Sequence, residues 1–199
     1  MKISAIILAA GQSTRFADGH KLLASHDGLP LIRRVATEVA AAPCDDIVLI
    51  TAAGGDAVVA AACAGRWRSV IAHDAERGLS ASIQAGIHAL SSDCDGALIV
   101  LADMPLVTSA MIGRLCAAFR AADGKKIVFP QRPDGRQGHP VLWPRTMFPD
   151  LMQLSGDGGG KDLIAAHRER HQVVMIEHAG PYLDVDTVED LQKLRGDGC

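Results

Sequence analysis

The stretch Ile3–Ala9, ISAIILA, runs directly into AGQSTR at residues 10–15. A short, nearly continuous apolar run that ends in a glycine-bearing polar turn is typical of a strand covered on both faces of a sheet. Similar runs follow at Asp46–Thr51, 69–72 and 97–102. We therefore expect four buried strands at the centre of the fold.

Segments with helix-forming composition separate these runs and follow the last of them, at residues 30–42, 56–64, 80–90 and 109–122. Alternation of strand and helix requires crossover connections, which place helices on both sides of a mostly parallel sheet. Later, two extended runs at 126–131 and 139–143 predict a hairpin, and a glycine-rich stretch at 155–160 precedes a helix at 161–167 and a strand at 172–176. We expect one domain over residues 1–199: a three-layer α/β/α, Rossmann-like fold with one antiparallel excursion.

Composition excludes several protein classes. The 199 residues carry a net charge of −3, with 48% hydrophobic and 22% charged residues, which excludes disordered, collagen-like and coiled-coil proteins and argues against a nucleic-acid partner. The five cysteines include no C-x-x-C pair, so we expect neither a disulfide nor a zinc scaffold, and a cytoplasmic location. Because no apolar run approaches the roughly 18 residues of a membrane span, we expect no membrane association.

Candidate ligand-binding residues follow the strands, because ligands of such sheets bind beyond the carboxyl ends of the strands. After the first run, Gly11, Arg15 and Lys21 suit a polyphosphate, although an ordinary loop with two solvated cations is the alternative. After the fourth run, Asp103 suits a magnesium ion shared with substrate phosphates, or it stabilises a turn.

Two further segments carry both structural and functional interpretations. Ser80 is expected to cap the helix at 80–90, where free N–H groups also suit a phosphate or ribose. Near the C-terminus, Asp184 and Asp186 lie two positions apart in an extended segment, and we expect one of them to face Asp103. Asp186 and Glu189 form a D-x-x-E pattern that predicts a cap for the last helix.

Six collinear motifs carry a resemblance: ILAAGQSTRF with KLL, GLSASIQAGI, LADMP, GHPVLW, GDGGGKDL and DVDTVEDL. Together, over nearly the whole chain, they resemble the MobA-like nucleotidyltransferase family, especially its molybdenum cofactor cytidylyltransferases. Lys161 stands where this family usually has an arginine, and Asp18 adds a negative charge beside the expected phosphate site. Lysine keeps the charge but lacks the bidentate fork of arginine.

The resemblance implies roles for individual residues. Arg15, Lys21 and Asp103 would be catalytic. The nucleotide would contact Leu8, Ala9, Ala10, Gly11, Arg15, Lys21, Gly78, Leu79, Ser80 and Ser82. The acceptor would contact Gly138, His139, Pro140 and Lys161, and Asp103 and Asp186 would hold Mg²⁺. Ala10, where guanine-preferring members tend to have glycine, points to cytosine, with adenine and uracil as alternatives.

The implied reaction joins CMP from CTP to the terminal phosphate of molybdopterin or molybdenum cofactor, with release of pyrophosphate and a recipient molybdoenzyme as a further partner. Transfer to another phosphate, such as a sugar 1-phosphate, is one alternative. A non-catalytic cofactor carrier is the other. Trp143 either packs in the core or stacks on a pterin ring.

Overall fold

The computed structural model describes residues 1–11, 16, 20–62 and 65–196. The strands are β1 (Ile3–Ala9), β2 (Ser25–His26), β3 (Leu29–Pro30), β4 (Asp46–Thr51), β5 (Arg68–Ile71), β6 (Gly96–Leu101), β7 (Ile127–Gln131), β8 (Val141–Pro144) and β9 (His171–Met175). The helices are α1 (Leu31–Ala41), α2 (Asp56–Ala62), α3 (Leu79–His88), α4 (Ser109–Ala121), α5 (Phe148–Leu151), α6 (Lys161–Ala166) and α7 (Val188–Gly196).

Seven strands form the main sheet in the order β5-β4-β1-β6-β8-β7-β9. β1 pairs in parallel with β4 and β6, while β8 runs antiparallel to both β6 and β7. β7 and β9 are again parallel to each other. The predicted mostly parallel sheet with one antiparallel excursion is confirmed, and β8 is the antiparallel strand.

The position of β1 inside the sheet explains why its sequence is apolar at nearly every position. Ile3, Ala5 and Ile7 contribute to the core on one face, while Ile6 and Leu8 contribute to the core on the other. Residues of α1, α2 and α4 cover the first face, and residues of α3, α5 and α6 cover the second. Burial on both faces therefore gives the strand a continuous apolar run instead of an alternating one.

Local signals predicted the long elements and were insufficient for the short ones. The run at 69–72 forms β5, which lies at the edge of the sheet and is mostly exposed, so the prediction of a buried strand there is wrong. The predicted bounds of β1 and β4 agree with the structure, whereas the β2–β3 hairpin, which turns through Asp27 and Gly28 at positive φ, was missed. Strands of two residues are too short to show an alternating pattern. None of the helices in the described part of the chain has the length and apolar character needed to cross a membrane.

The cap of α7 corrects one prediction. Thr187, not Asp186, precedes the helix: its Oγ1 accepts a hydrogen bond from the backbone N–H of Asp190 (3.2 Å), and Asp190 Oδ2 accepts one from the N–H of Thr187 (3.0 Å). This reciprocal pair is a capping box with aspartate in place of the usual glutamate. The predicted pair Asp186 and Glu189 is wrong by one residue, and the side chain of Asp186 is turned to another partner.

Candidate functional site

The carboxyl ends of β1 and β6 lie side by side, because Leu8 and Leu101 are register partners. Lys21, in the 3₁₀ turn that follows the β1 loop, extends its Nζ to within 2.7 Å of Asp103 Oδ2 and 2.9 Å of Asp186 Oδ1. The backbone N–H of Val185 donates to the carbonyl of Asp103 (2.9 Å), and the buried Val185 side chain anchors that segment. Three sequence-distant segments therefore meet at one ammonium group.

This cluster is largely removed from solvent. The side chain of Lys21 is 13% exposed and that of Asp103 is 22% exposed. Burial acts to lower the pKa of Lys21, but the charges and hydrogen bonds of Asp103 and Asp186 outweigh it and raise the pKa above its usual value. Lys21 therefore stays protonated at neutral pH. Asp103 Oδ1 is buried and has no hydrogen-bond partner among the described residues.

A first cavity of about 470 Å³ opens beside the cluster. The ends of β1 and β6, the start of α3 and the loop around Asp157 form its walls. Its lining residues are Leu8, Ala9, Ala10, Gly11, Lys21, Leu22, Ala75, Glu76, Gly78, Leu79, Ser82, Leu101, Asp103, Asp157 and Asp186. The cavity thus combines a cation, four carboxylates and exposed backbone, which suits a phosphorylated ligand together with a cation.

The start of α3 differs from the prediction. Gly78, not Ser80, is the N-cap residue, and the Ser80 side chain is buried in the first turn. The backbone N–H of Leu79 donates to Asp157 Oδ1 (3.2 Å), and that of Ser80 donates to the Gly156 carbonyl (3.1 Å). Because these two groups are already bonded, the first turn of α3 does not offer a phosphate the free N–H groups that the sequence suggested.

Gly78 is required at this position for a structural reason. Its φ is +105°, and a Cβ there would lie 2.5 Å from Asp157 Oδ1 and 2.7 Å from the carbonyl carbon of Gly156. The segment around Asp157 is further held to α3 by Gln84, whose Nε2 donates to the carbonyls of Met152 and Leu154. Gly78 therefore allows the glycine-rich loop to close against the helix.

A second cavity of about 330 Å³ adjoins the first. The two cavities share Leu8, Leu79, Leu101 and Asp157 as wall residues. The other lining residues of the second cavity are Ile83, Ile99, Gln137, His139, Val141, Trp143, Gly158, Gly159, Gly160, Lys161 and Ile164. Trp143 is 2% exposed, so the prediction that it packs in the core is confirmed.

His139 is a buried polar residue in the wall of the second cavity. Its Nδ1 is buried without a hydrogen-bond partner among the described residues. Burial lowers the pKa of His139 against the opposing charges of Asp103 and Asp184, so the imidazole is neutral at pH 7. The neighbouring residue Gly138 packs so closely that a Cβ would lie 2.5 Å from the Pro181 carbonyl oxygen.

The structure brings together most of the predicted site residues, but not all of them. Leu8, Ala9, Ala10, Gly11, Lys21, Gly78, Leu79, Ser82, Asp103 and Asp186 line the first cavity, and His139 and Lys161 line the second. Ser80, Gly138 and Pro140 line neither cavity. Arg15 lies outside the described residues.

Sequence reasoning missed three polar side chains of the cavity walls: Glu76, Gln137 and Asp157. Asp157 belongs to the glycine-rich motif and Glu76 shortly precedes Gly78, so proximity to these motifs was the available signal. The sequence could not show that the segments containing Glu76 and Asp157 meet at one cavity.

Comparison with known proteins identifies the family. Residues 5–173 match the MobA-like NTP transferase domain. The chain belongs to this family. A MobA-like NTP transferase fold accounts for the seven-stranded sheet and for the placement of the first cavity at the carboxyl ends of its central strands.

Individual relatives of this MobA-like chain carry different names. It is 26% identical to nicotine blue oxidoreductase of Paenarthrobacter nicotinovorans, with 96% of each chain covered. It is 27% identical to a "Probable molybdenum cofactor guanylyltransferase" of Natronomonas pharaonis, covering 96% of this chain and 95% of that protein. Among solved structures, Rv0371c of Mycobacterium tuberculosis H37Rv superposes with a TM-score of 0.85 at 26% identity over 98% of each chain.

A divalent cation fits the carboxylates of the first cavity. Rv0371c has also been solved in complex with manganese, and that structure matches this one with a TM-score of 0.80, 26% identity and coverage of 99% and 100% of the two chains. Mg²⁺ is commonly held by one or two carboxylates together with substrate phosphates and water. Asp103, with its buried unbonded Oδ1, and Asp186 provide such a pair of oxygen ligands. No larger group of metal-ligating side chains occurs among the described residues.

Proposed function

We propose that this protein transfers CMP from CTP to the terminal phosphate of molybdopterin or molybdenum cofactor, forming the cytosine dinucleotide and releasing pyrophosphate. The observation that carries the proposal is the Lys21, Asp103 and Asp186 cluster at the wall of the first cavity. A nucleotidyltransferase must neutralise a triphosphate at this edge of the sheet, and membership of the MobA-like family supplies the reaction class.

The transfer itself needs no general base from the protein. A phosphate monoester has a second pKa near 6, so at neutral pH it is already largely a dianion. One of its oxygens attacks the α-phosphorus of CTP, and the bond from that phosphorus to the bridging oxygen breaks as pyrophosphate leaves with the electron pair. The chain's contribution is to align the two phosphates and to neutralise charge in a partly buried site.

Asp103 and Asp186 would hold Mg²⁺, which when bound would polarise the phosphoryl oxygens and offset their charge. Lys21 then has a second role. In this structure its ammonium neutralises both carboxylates, and a cation held by the same carboxylates would leave the ammonium available to the phosphates. Arg15, in the motif before Lys21, would contact the leaving pyrophosphate, as the resemblance to the family implies.

The choice of base and acceptor is the finer part of the proposal. Ala10 is buried in the wall of the first cavity, and we assign it to the cytosine side of the ligand. The relative from N. pharaonis, which matches over nearly its whole length, is named for guanylyl transfer to molybdenum cofactor. That name supports molybdenum cofactor as the acceptor, and the choice between cytosine and guanine is tested by the assay below. A molybdoenzyme that receives the product would be the further partner.

A matrix of pyrophosphate-release assays tests the proposal. CTP, GTP, UTP and ATP are each combined with Mg²⁺ and either molybdenum cofactor, glucose 1-phosphate or no acceptor. We expect release with CTP and molybdenum cofactor only, with the dinucleotide identified by mass spectrometry. Release with glucose 1-phosphate would show that the proposed acceptor is wrong, and release with GTP would show that the proposed base is wrong. Binding of both CTP and cofactor without product would instead favour a carrier.

A further inference from the structure

The turn that carries Lys21 is short, and His20 holds its beginning. It is a 3₁₀ turn over Lys21–Leu23, and His20 precedes it in an extended conformation. The carbonyl of His20 accepts a hydrogen bond from the backbone N–H of Leu23 (2.9 Å), and its imidazole Nδ1 accepts one from the N–H of Leu22 (3.3 Å). His20 therefore supplies a backbone acceptor and a side-chain acceptor to the same turn.

These two bonds act on the peptide groups on either side of Lys21. The His20 carbonyl belongs to the peptide group before the Cα of Lys21, and the Leu22 N–H belongs to the peptide group after it. Because the orientations of the two peptide planes set the φ and ψ angles of Lys21, they also set the direction of its Cα–Cβ bond. The imidazole therefore helps to determine the direction in which the Lys21 side chain leaves the backbone.

The far end of the Lys21 side chain requires this control of direction. The side chain is 13% exposed, and its Nζ lies within 3 Å of an oxygen of both Asp103 and Asp186. The next residue, Leu22, is 3% exposed and packs in the core on the first face of the sheet. One anchored side chain does not fix the tilt of the adjoining peptide plane, whereas the bond to the imidazole does.

A neutral acceptor suits this position better than a carboxylate. Aspartate is a common residue ahead of a helical turn, but a carboxylate one residue before Lys21 would offer the ammonium a third anionic partner. A neutral imidazole accepts a hydrogen bond at one ring nitrogen and carries no negative charge. Burial, and after it the charge of Lys21, lowers the pKa of His20, so the imidazole is neutral at pH 7. It holds the turn without drawing Lys21 away from Asp103 and Asp186.

We propose that His20 is a positioning residue for Lys21, whose ammonium it helps to hold between Asp103 and Asp186. Its imidazole acts through the backbone of the turn and not through contact with a substrate. The inference rests on the proposed function for its effect on turnover. Its effect on the binding of a divalent cation is measured without any transfer reaction, and Mn²⁺ alone is the probe.

Two replacements separate the hydrogen bond of His20 from the bulk of its ring. His20→Phe keeps a ring but has no acceptor, and His20→Asn keeps an acceptor suited to the start of a helical turn. When the ammonium is held less firmly, Asp103 and Asp186 are more available to a cation. Mn²⁺ should therefore raise the melting temperature of His20→Phe by more than it raises that of the wild type. His20→Asn should respond as the wild type does.

Turnover gives a second readout. The value of kcat/KM for CTP should fall about fivefold in His20→Phe, the factor that corresponds to loss of a typical helix cap. His20→Asn should restore most of it, because the acceptor and not the ring is what the turn requires.

A double-mutant cycle shows whether His20 acts through Lys21. If it does, adding His20→Phe to Lys21→Met should change the Mn²⁺ response no further. The matched control is His178→Phe. The Nδ1 of this exposed histidine accepts a hydrogen bond from the N–H of Gly180 at the same distance of 3.3 Å, in a different loop. That variant should keep the wild-type response to Mn²⁺.

If His20→Phe does not fold, His20→Ala takes its place in every measurement. Three results would each overturn the inference: a wild-type Mn²⁺ response in the folded variant, an equal added response in the Lys21→Met background, or failure of His20→Asn to restore the wild-type response. Mn²⁺ responses as expected, without pyrophosphate release from any phosphate acceptor, would overturn the proposed function and leave the role of His20 standing.

Discussion

Lys21 and Asp186 are separated by 165 positions in the chain, yet Lys21 Nζ lies 2.9 Å from Asp186 Oδ1 and at the same time 2.7 Å from Asp103 Oδ2. One ammonium therefore bridges the two carboxylates that would hold a divalent cation. The ammonium and the cation compete for the same oxygens, which makes Lys21 a residue whose removal should affect metal binding and catalysis in opposite directions.

Replacing Lys21 with methionine tests this competition. Without the ammonium, Asp103 and Asp186 repel each other, so Mn²⁺ should raise the melting temperature of Lys21→Met by more than it raises that of the wild type. Turnover should nevertheless fall by about tenfold or more, because a charge-assisted contact to phosphate contributes roughly 1.5–3 kcal/mol. Lys125→Met, at an exposed lysine paired with Asp123, is the control. If Mn²⁺ raised the melting temperature of Lys21→Met and wild type equally, Lys21 would not compete with the cation for Asp103 and Asp186.

Asp103→Asn should remove metal-dependent turnover while preserving the fold. The amide has the shape of the carboxylate but not its charge, and loss of electrostatic stabilisation at the reacting phosphate is expected to lower kcat by about a hundredfold or more. Pyrophosphate release at saturating CTP and Mg²⁺ measures the effect, and thermal unfolding verifies the fold. Asp134→Asn, on an exposed loop, should behave as the wild type. Normal turnover by folded Asp103→Asn would exclude Asp103 from the mechanism.

Gly78→Ala should destabilise the protein for two separable reasons. The alanine would adopt φ of +105° and would also clash with Asp157 and Gly156. Gly135 has a φ of +88° but nothing within 4 Å of its Cβ position, so Gly135→Ala isolates the conformational cost. We expect a loss of about 1 kcal/mol or more for Gly135→Ala and a clearly larger loss for Gly78→Ala. Equal losses in urea unfolding would show that the loop around Asp157 moves aside freely.

His139 should make the stability depend on pH. Because burial lowers its pKa in the folded state, the unfolded chain binds a proton more readily, and the free energy of unfolding should fall as pH decreases through the ordinary histidine pKa near 6.5. His139→Gln should reduce this dependence between about pH 7.5 and pH 5.5 in urea titrations. A slope as steep in His139→Gln as in the wild type would contradict the role of His139.

Thr187→Ala should cost about 1 kcal/mol of stability at neutral pH, the usual contribution of a helix cap. Its hydrogen bond with Asp190 is the main cause that lowers the pKa of Asp190. A carboxylate with a lowered pKa stabilises the fold at pH values above the ordinary aspartate pKa, and this stabilisation is lost as the pH falls and the carboxylate is protonated. The difference in stability between Thr187→Ala and wild type should therefore shrink below about pH 4. Thr108→Ala, at the cap of α4, provides a comparison without a carboxylate partner. A constant difference across this pH range would count against the Asp190 contact.

The central strands were predictable because their signal is local. β1 and β4 are buried on both faces, and a strand in that position must be apolar along its length. Their ends then pointed to Lys21 and Asp103 as site candidates, since parallel strands present their carboxyl ends on one edge. Spacing alone did not select Asp186 over Asp184 as the candidate metal ligand. The family motif selected Asp186, and its contact with Lys21 Nζ is visible only in the structure.

The helix caps show where local patterns failed. Ser80 had the correct residue type for a cap, but the first turn of α3 is bonded by Asp157, which lies 78 positions from Leu79 along the chain. At α7 the error was one residue, because D-x-x-E at Asp186 and the observed T-x-x-D at Thr187 are overlapping patterns of the same kind. A local pattern states which groups can satisfy a helix end, and packing selects among them.

Residue order alone was enough to specify the long strands and helices, the burial of the central strands and the edge of the sheet that carries the site, since these depend on burial and on short-range geometry. The sharing of Lys21 between two carboxylates, the bonding of the α3 start by a distant loop and the division of the site into a charged and an apolar cavity all arise on packing. Such features depend on contacts between segments far apart in the chain, and their distances are set when the layers close on the sheet.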